Sequence, residues 1–423
     1  MVRSLYNCYF GIQEPLVQTQ VLPYLRELVK DRHEMVLLTF ESESLDPETR
    51  ESIREELKLD GIEWHSLRYH KRLSAIATAF DIIAGTLVVR RLIKTRRIDL
   101  LHGRVHVPTL MAALARKLSR TKPKLIFDIR GFFPEEYADA GVWPTNGVIF
   151  RTAKWVERWL LKEADGFVVL TKKASRVLFP ESSTNGTDGM LADSQGRPVE
   201  VIPCCVDLNV RFEITDEKER SRARKALGLD GRFVVVHLGA LGGLYLNSEI
   251  VELLAISKNL DPSTFGLFVT QTDPKELVEL LRKRGFTDKD ILVTRAPAEE
   301  VAKYLHVSDV GVSFVKATFA TLARSPTKIP EYLACGLPII ANAGVGDVDE
   351  LVEGQEVGAL VRDMSPLGYE EAIRKVLAFS QPAEHMRAVA AREFSLDSIG
   401  GERYRRLYSR LLASEAPTAH RQL

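Results

Sequence analysis

Cysteine is scarce: there are four in 423 residues, Cys8, Cys204, Cys205 and Cys335. Two are adjacent and no pair has metal-ligand spacing, which excludes a disulfide framework and a thiolate metal site. They read as reduced, structural thiols of a cytoplasmic protein. The opening stretch MVRSLYNCYFGIQEP has no apolar segment of the kind a secretory signal needs. Long apolar runs are lacking too. The best, LSAIATAFDIIAGTLVV over residues 73–89, carries Asp81 near its middle and falls short of the ~20 residues a membrane span requires. It reads as a partly buried helix with Lys71, Arg72, Arg90 and Arg91 at its ends. Repeats of solenoid length are absent.

Acids are missing from one region. Between Arg68 and Arg130 there are 15 lysines and arginines against three acids, a local charge of +12, while the rest of the chain carries −11. Such asymmetry points to a negatively charged partner for the N-terminal half. Hydrophobic content of 45% and charged content of 27% describe a globular chain, too long for one ordinary core. Apolar strands such as EMVLLTF, PKLIFDIRG, RFVVVHLGA and LPIIANA alternate with helical stretches, the pattern of βαβ units in a parallel sheet. Two such series predict two doubly wound α/β domains, with the boundary just after VIPCCVD, near Asp207. The turn-rich stretch 180–198 reads as a mobile surface loop interrupting the first domain.

The segment SPTKIPEYLACGLPIIAN, residues 325–342, predicts a helix with Pro330 in its first turn, a left-handed cap at Gly336 and a following strand. Lys328 then lies beside the positive end of the helix dipole, against the usual preference for acids there. A second source of positive potential is the loop HLGALGGLYLN, where Gly239, Gly242 and Gly243 lead from a strand into a helix. Such loops offer backbone N–H groups to phosphates, although the spacing is not G-x-G-x-x-G. Both features fall at strand carboxyl ends, where doubly wound sheets bind ligands. Together they define a site for a strongly anionic group such as a diphosphate, with Glu331 available to a ribose. The simpler alternative is a solvated Lys328–Glu331 pair of little consequence.

With these residues in view, SPTKIPEYLACGLPIIANAGVGDVDELVEGQEVGALV resembles the donor-binding half of GT-B glycosyltransferases of the retaining, family 4 type. The resemblance runs through VEVIPCCVDL and VVVHLGALGGLY to the closing segment EFSLDSIGGERYRRLYSRLL. It implies two Rossmann-like domains facing across a cleft. Residues 1–207, with a C-terminal helix 396–413 packed back on them, would take the acceptor, and residues 208–395 the donor. It further implies a cytoplasmic hexosyltransferase without cofactor or metal, moving sugar from a nucleotide diphosphate to a saccharide or lipid-linked acceptor in surface polysaccharide or glycoconjugate synthesis. Nucleic acid is not an expected partner. Two departures stand out. Ala323 occupies the position where many relatives have a second glutamate, and the glycine loop carries no base. Lys328, Arg324, backbone N–H groups and a base from the other domain would therefore hold the diphosphate.

In the first domain the resemblance places the loop after the first strand against donor phosphates and sugar, with Glu14, Gln18 and Gln20 as its polar members. Asp128 and Arg130 at a strand end are candidates to orient or deprotonate the acceptor and to reach a phosphate; a mutual salt bridge is an equal alternative. His102 and Arg104 sit at another strand end, with a structural role slightly favoured. The DVD triplet Asp347–Asp349 matches a metal-binding D-x-D, but its place at a helix start favours capping. An epimerase or hydrolase of the same shape and an idle sugar-nucleotide-binding protein are the alternative functions. The 73–95 helix with its clustered bases predicts peripheral docking on an anionic membrane, against the alternative of an ordinary core helix.

Overall fold

The computed structural model describes residues 2–31, 33–70, 74–184, 189–213 and 215–413. The chain divides into two compact units, residues 1–202 with 400–423, and residues 203–399.

The first unit is built on a sheet ordered β3-β2-β1-β4-β5-β6-β9-β8-β7. Its strands are β1 Val2–Asn7, β2 His33–Glu41, β3 Ile62–Arg68, β4 Leu100–Arg104, β5 Lys124–Ile129, β6 Gly166–Val169, β7 Ser183–Thr184, β8 Leu191–Ala192 and β9 Pro198–Val201. The seven longer strands run parallel, and β4 throughout and β5 from Leu125 onward are buried, as strands covered on both faces must be. The chain reverses between β1 and β4, so the loops after those strands share the sheet's carboxyl edge. Helix Glu402–Ala413 closes this unit. Its Tyr404, Leu407, Tyr408 and Leu411 are buried, and Arg406 forks onto Glu200 of β9 at 2.7 and 2.9 Å.

The stretch read as a mobile loop is more ordered than expected at both ends. β7 and β8 pair antiparallel, and β8 pairs antiparallel with β9. The turn from β8 to β9 is closed by Asp193, whose Oδ1 accepts from the N–H groups of Gln195 and Arg197. Residues 185–188 fall outside the described residues. Turn chemistry of this kind resembles loop composition in sequence, which is why the hairpin went unread.

Helix Ser74–Arg96 follows a helical period on two faces. Asp81, Gly85, Val89, Leu92 and Ile93 face inward. At Gly85 an added Cβ would lie 2.5 Å from Met111 Sδ and 3.1 Å from the Phe40 ring, so a side chain there would make these neighbours shift. The opposite face leaves Ile76, Phe80, Ile83 and Leu87 between 55% and 75% exposed, continued by exposed Arg90, Arg91 and Lys94. Lys71 and Arg72, expected to flank its start, lie outside the described residues.

The second unit holds a six-stranded parallel sheet ordered β12-β11-β10-β13-β14-β15. These strands are β10 Phe233–Leu238, β11 Thr264–Val269, β12 Ile291–Thr294, β13 Val310–Ser313, β14 Ile339–Asn342 and β15 Gly358–Val361. Alternate residues feed two cores. Val234, Val236 and Ile339 enter one with Tyr332, and Val235, Val312 and Ile340 enter the other with Phe268 and Tyr369. The reversal between β10 and β13 sets the glycine loop beside the segment that follows β13, and Tyr245 bridges Val315 there.

Candidate functional site

Helix Lys328–Ala334 is positioned by Tyr332, one turn past Lys328. The Tyr332 ring lies flat over Gly311 of β13, where any side chain would come within 2.3 Å of it. Its hydroxyl accepts from Leu238 N–H at 2.9 Å and donates to the Val312 carbonyl at 3.2 Å. The helix stops as the sequence predicts: Gly336 has φ +77°, and Leu337 N–H reaches back to the Tyr332 carbonyl at 3.0 Å. This short helix is therefore clamped to the ends of two strands, and the clamp aims Lys328 at the glycine loop.

Lys328 is 3% exposed, and its Nζ has no hydrogen-bond partner among the described residues. The ammonium sits 4.3 Å from the ring centroid of Tyr245, and the Arg324 guanidinium lies 5.3 Å from the same ring. A Cβ on Gly239 would lie 3.9 Å from Lys328 Nζ, so the loop backbone passes directly against the lysine. Gly239, Gly242 and Gly243 have φ of +103°, +73° and +63°, conformations that other residues adopt at a cost. Asn247, first in the next helix, accepts from Gly242 N–H at 3.1 Å and ties the loop down. His237 contacts the Ala240 carbonyl through Nε2 at 3.2 Å.

The electrostatics of this group are frustrated. Burial, reinforced by Arg324 and only partly offset by Glu331, lowers the Lys328 ammonium to about 7. Burial raises the Glu331 carboxyl to about 7, against the pull of Arg211 and Lys328. Arg211 is 3.8 Å from Glu331. An anion entering beside Lys328 would remove the strain that burial imposes. Ala323 is buried in a 3-10 turn, Ala320–Ala323, closed by Gly346 N–H on the Thr321 carbonyl. Tyr245, Arg211 and His237 were not anticipated. The aromatic in GALGGLYLN and the arginine just past the crossover were visible in sequence, but only the fold brings them to Lys328 and Glu331.

The polar residues named in the first unit form a buried cluster of their own. Asp128 is fully buried. Its Oδ2 accepts from Tyr404 at 3.1 Å and lies 3.4 Å from His102 Nε2, with Arg104 at 3.8 Å. Arg130 approaches Oδ1 at 3.7 Å. Burial alone would push this carboxyl up, but Arg130, His102 and Arg104 outweigh it and hold it at about 2. His102 is kept neutral by burial and hydrogen-bonded to Tyr408 at 2.9 Å. Arg104 also donates to the Gln20 carbonyl at 3.2 Å, joining the cluster to helix Pro15–Gln20. Glu14 caps the turn before that helix by accepting from Gly11 N–H at 3.2 Å, and Gln18 donates to the Ile12 carbonyl at 2.7 Å. Glu41, missed in sequence, supports the same loop from below by accepting from Ile12 N–H at 3.0 Å.

Asp347 precedes helix Val348–Gly354, and Asp349 in its first turn accepts from Gly344 N–H at 2.9 Å. Among the described residues, no three His, Cys, Asp or Glu side chains are placed to hold a metal ion.

Two family models match the chain, one over each unit. Residues 17–178 match the model of a Glycosyl transferase 4-like domain, and residues 234–378 that of Glycosyl transferases group 1. The chain belongs to the GT-B glycosyltransferases. Similar solved structures include sucrose-phosphate synthase from Thermosynechococcus elongatus, at 15% identity and TM-score 0.72, covering 98% of this chain and 100% of that one. HepE of Anabaena, in complex with UDP and glucose, is 16% identical with TM-score 0.67, covering 97% and 100%. WaaG, a glycosyltransferase involved in lipopolysaccharide biosynthesis, is 16% identical with TM-score 0.61, covering 97% and 98%. No curated protein matches this chain.

Proposed function

We propose that this protein transfers a hexose from a nucleotide-diphosphate donor to a saccharide or lipid-linked acceptor, with retention at the anomeric carbon and without a metal ion. The observation that carries this reading is the buried, unpartnered Nζ of Lys328 against the glycine loop. A leaving diphosphate is the kind of anion that arrangement accommodates, and the HepE structures hold UDP and UDP-glucose. In the step itself, the bond from the anomeric carbon to the diphosphate oxygen breaks and a bond to the acceptor oxygen forms. The acceptor's proton leaves with the diphosphate. Lys328 and Arg324 stabilise the charge that develops on the leaving group, an interaction stronger in the transition state than in the bound donor. Glu331 accepts from the ribose hydroxyls. Asp128 keeps Arg104, Arg130 and His102 in place rather than acting as a base, because no face of it reaches solvent.

The exposed apolar stripe Ile76, Phe80, Ile83 and Leu87, running into Arg90, Arg91 and Lys94, is the face we assign to contact with an anionic membrane. Each base near such a surface contributes about 1 kcal/mol. Among the described residues no helix is long and apolar enough to cross a membrane, so this contact would be peripheral.

The test is turnover of UDP-glucose and other nucleotide sugars with and without candidate acceptors, in EDTA, with NMR of the product's anomeric proton. Acceptor-dependent transfer with retained configuration in EDTA is expected. Turnover without acceptor would mark a hydrolase or epimerase, binding without turnover a non-catalytic protein, and rescue by Mn²⁺ a metal-dependent site.

A further inference from the structure

The first unit carries a groove lined by none of the residues assigned to the transfer. It measures about 620 Å³ and is walled by Trp155, Arg158 and Trp159 of helix Val148–Glu163 on one side. The corner around Ser182 and the β8–β9 turn at Asp193 form the other side. A second hollow of about 480 Å³ shares Trp155 and Arg158 and extends it toward Val148.

Trp155 and Trp159 are four residues apart, so their indoles project from one helix face about 6 Å apart along the axis. Trp155 is 61% exposed, an unusual position for so large an apolar surface. The opposite wall is rigid. Arg197 donates to Asp193 Oδ2 at 2.7 Å and to the carbonyls of Leu161 and Ala164 at 2.9 Å. Its guanidinium stacks 4.7 Å from the Phe167 ring. These part-buried polar contacts tie the β8–β9 turn to the end of the helix.

We propose that this groove binds a saccharide chain. Two indoles line one wall, Trp155 largely exposed and Trp159 with Lys117 Nζ 5.5 Å from its ring centroid, and such apolar surface suits the C–H faces of pyranose rings. The rim mixes donors and acceptors of both signs, Arg158 and Lys162 against Glu181, with the hydroxyls of Ser182 and Ser194 between. A ligand with hydroxyls around an apolar body is complementary to that combination. Glu181 and Asp193 on the rim of the first hollow make it a poorer match for an anionic membrane than the Ser74–Arg96 stripe, whose exposed face carries no acid. The inference goes beyond the transfer reaction and stands whether or not the donor assignment does.

The test titrates the full-length protein with maltohexaose, cellohexaose, chitohexaose and hexagalacturonate, read by tryptophan emission and calorimetry. At least one is expected to bind with a blue shift, and Trp155→Ala to weaken it by about tenfold or more. Thermal unfolding and UDP-glucose binding should be unchanged in that variant. Arg158→Ala, on the exposed helix face, provides a second variant that leaves the packing intact. Binding of none of the four hexasaccharides, or undiminished binding in both variants, overturns the proposal. So does a Trp155 emission shift produced by phosphatidylcholine–phosphatidylglycerol vesicles and by no glycan.

Discussion

Each unit buries a group of charges at the carboxyl ends of its strands, and the two groups are built on opposite principles. In the first unit Asp128 lies within 3.8 Å of Arg104 and Arg130 and within hydrogen-bonding range of Tyr404 and His102. Its ionised form is favoured, down to about 2. In the second unit Lys328 is as deeply buried, but its ammonium faces an aromatic ring and a backbone loop, and its charged form is disfavoured. A compensated buried charge supports the fold around it. An uncompensated one raises the energy of the free protein and lowers that of the complex when an anion arrives. On the proposed reading the first cluster supports the fold and the second serves the transfer.

The largest effect should come from Lys328→Ala. Loss of one preorganised donor to a leaving group typically costs a factor of about 10²–10³ in kcat, while thermal stability should hold or rise because a frustrated charge is gone. Near-normal kcat at saturating donor would sink the comparison. Asp128→Asn should do the reverse. Leaving Arg104 and Arg130 without their counter-charge should cost about 3–5 kcal/mol of stability, measured by denaturant unfolding. The depressed carboxyl adds a pH signature. Its contribution is present above the unfolded value of 3.8 and is lost as pH falls toward 2; the Asn variant should lack that portion of acid destabilisation. An Asn variant as stable as wild type would show the cluster to be dispensable.

Glu331→Ala is expected to be milder, weakening donor affinity about tenfold with kcat little changed, since ribose contacts are similar in ground and transition states. A fall in kcat at constant affinity would move Glu331 into the chemical step. The smallest signal is a proton. Lys328 sits at about 7 in the free protein, and a bound diphosphate restores its charge. Donor binding at pH 8 should therefore take up about one proton, and affinity should weaken as pH rises above 7. Calorimetry of UDP-glucose binding in phosphate and in Tris measures the uptake directly. Lys328→Met should abolish it, and equal uptake in both proteins would place the titrating group elsewhere, with Glu331 and His237 as the neighbours to examine.

Local pattern by itself determined a good deal of this protein. The alternation of apolar strands with helical stretches, the glycines that must turn with positive φ, and the Pro330–Gly336 bracket around a short helix are encoded within a few residues of one another. They specified two doubly wound units and marked Lys328 and Glu331. What sequence could not decide is which charges find partners. Tyr404 reaches Asp128 across 276 positions and Tyr408 reaches His102 across 306. The closing helix thus fixes the environment of residues near the first third of the chain. Tyr332 crosses 94 positions to hold the strand before the glycine loop. The two faces of helix Ser74–Arg96, both apolar in sequence, were separated only when one of them packed. Secondary structure follows from periodicity and turn chemistry, which are short-range. Burial and ion pairing depend on which distant elements meet, so only the tertiary structure could surround Asp128 with counter-charges and set the Lys328 ammonium against a ring and a backbone loop.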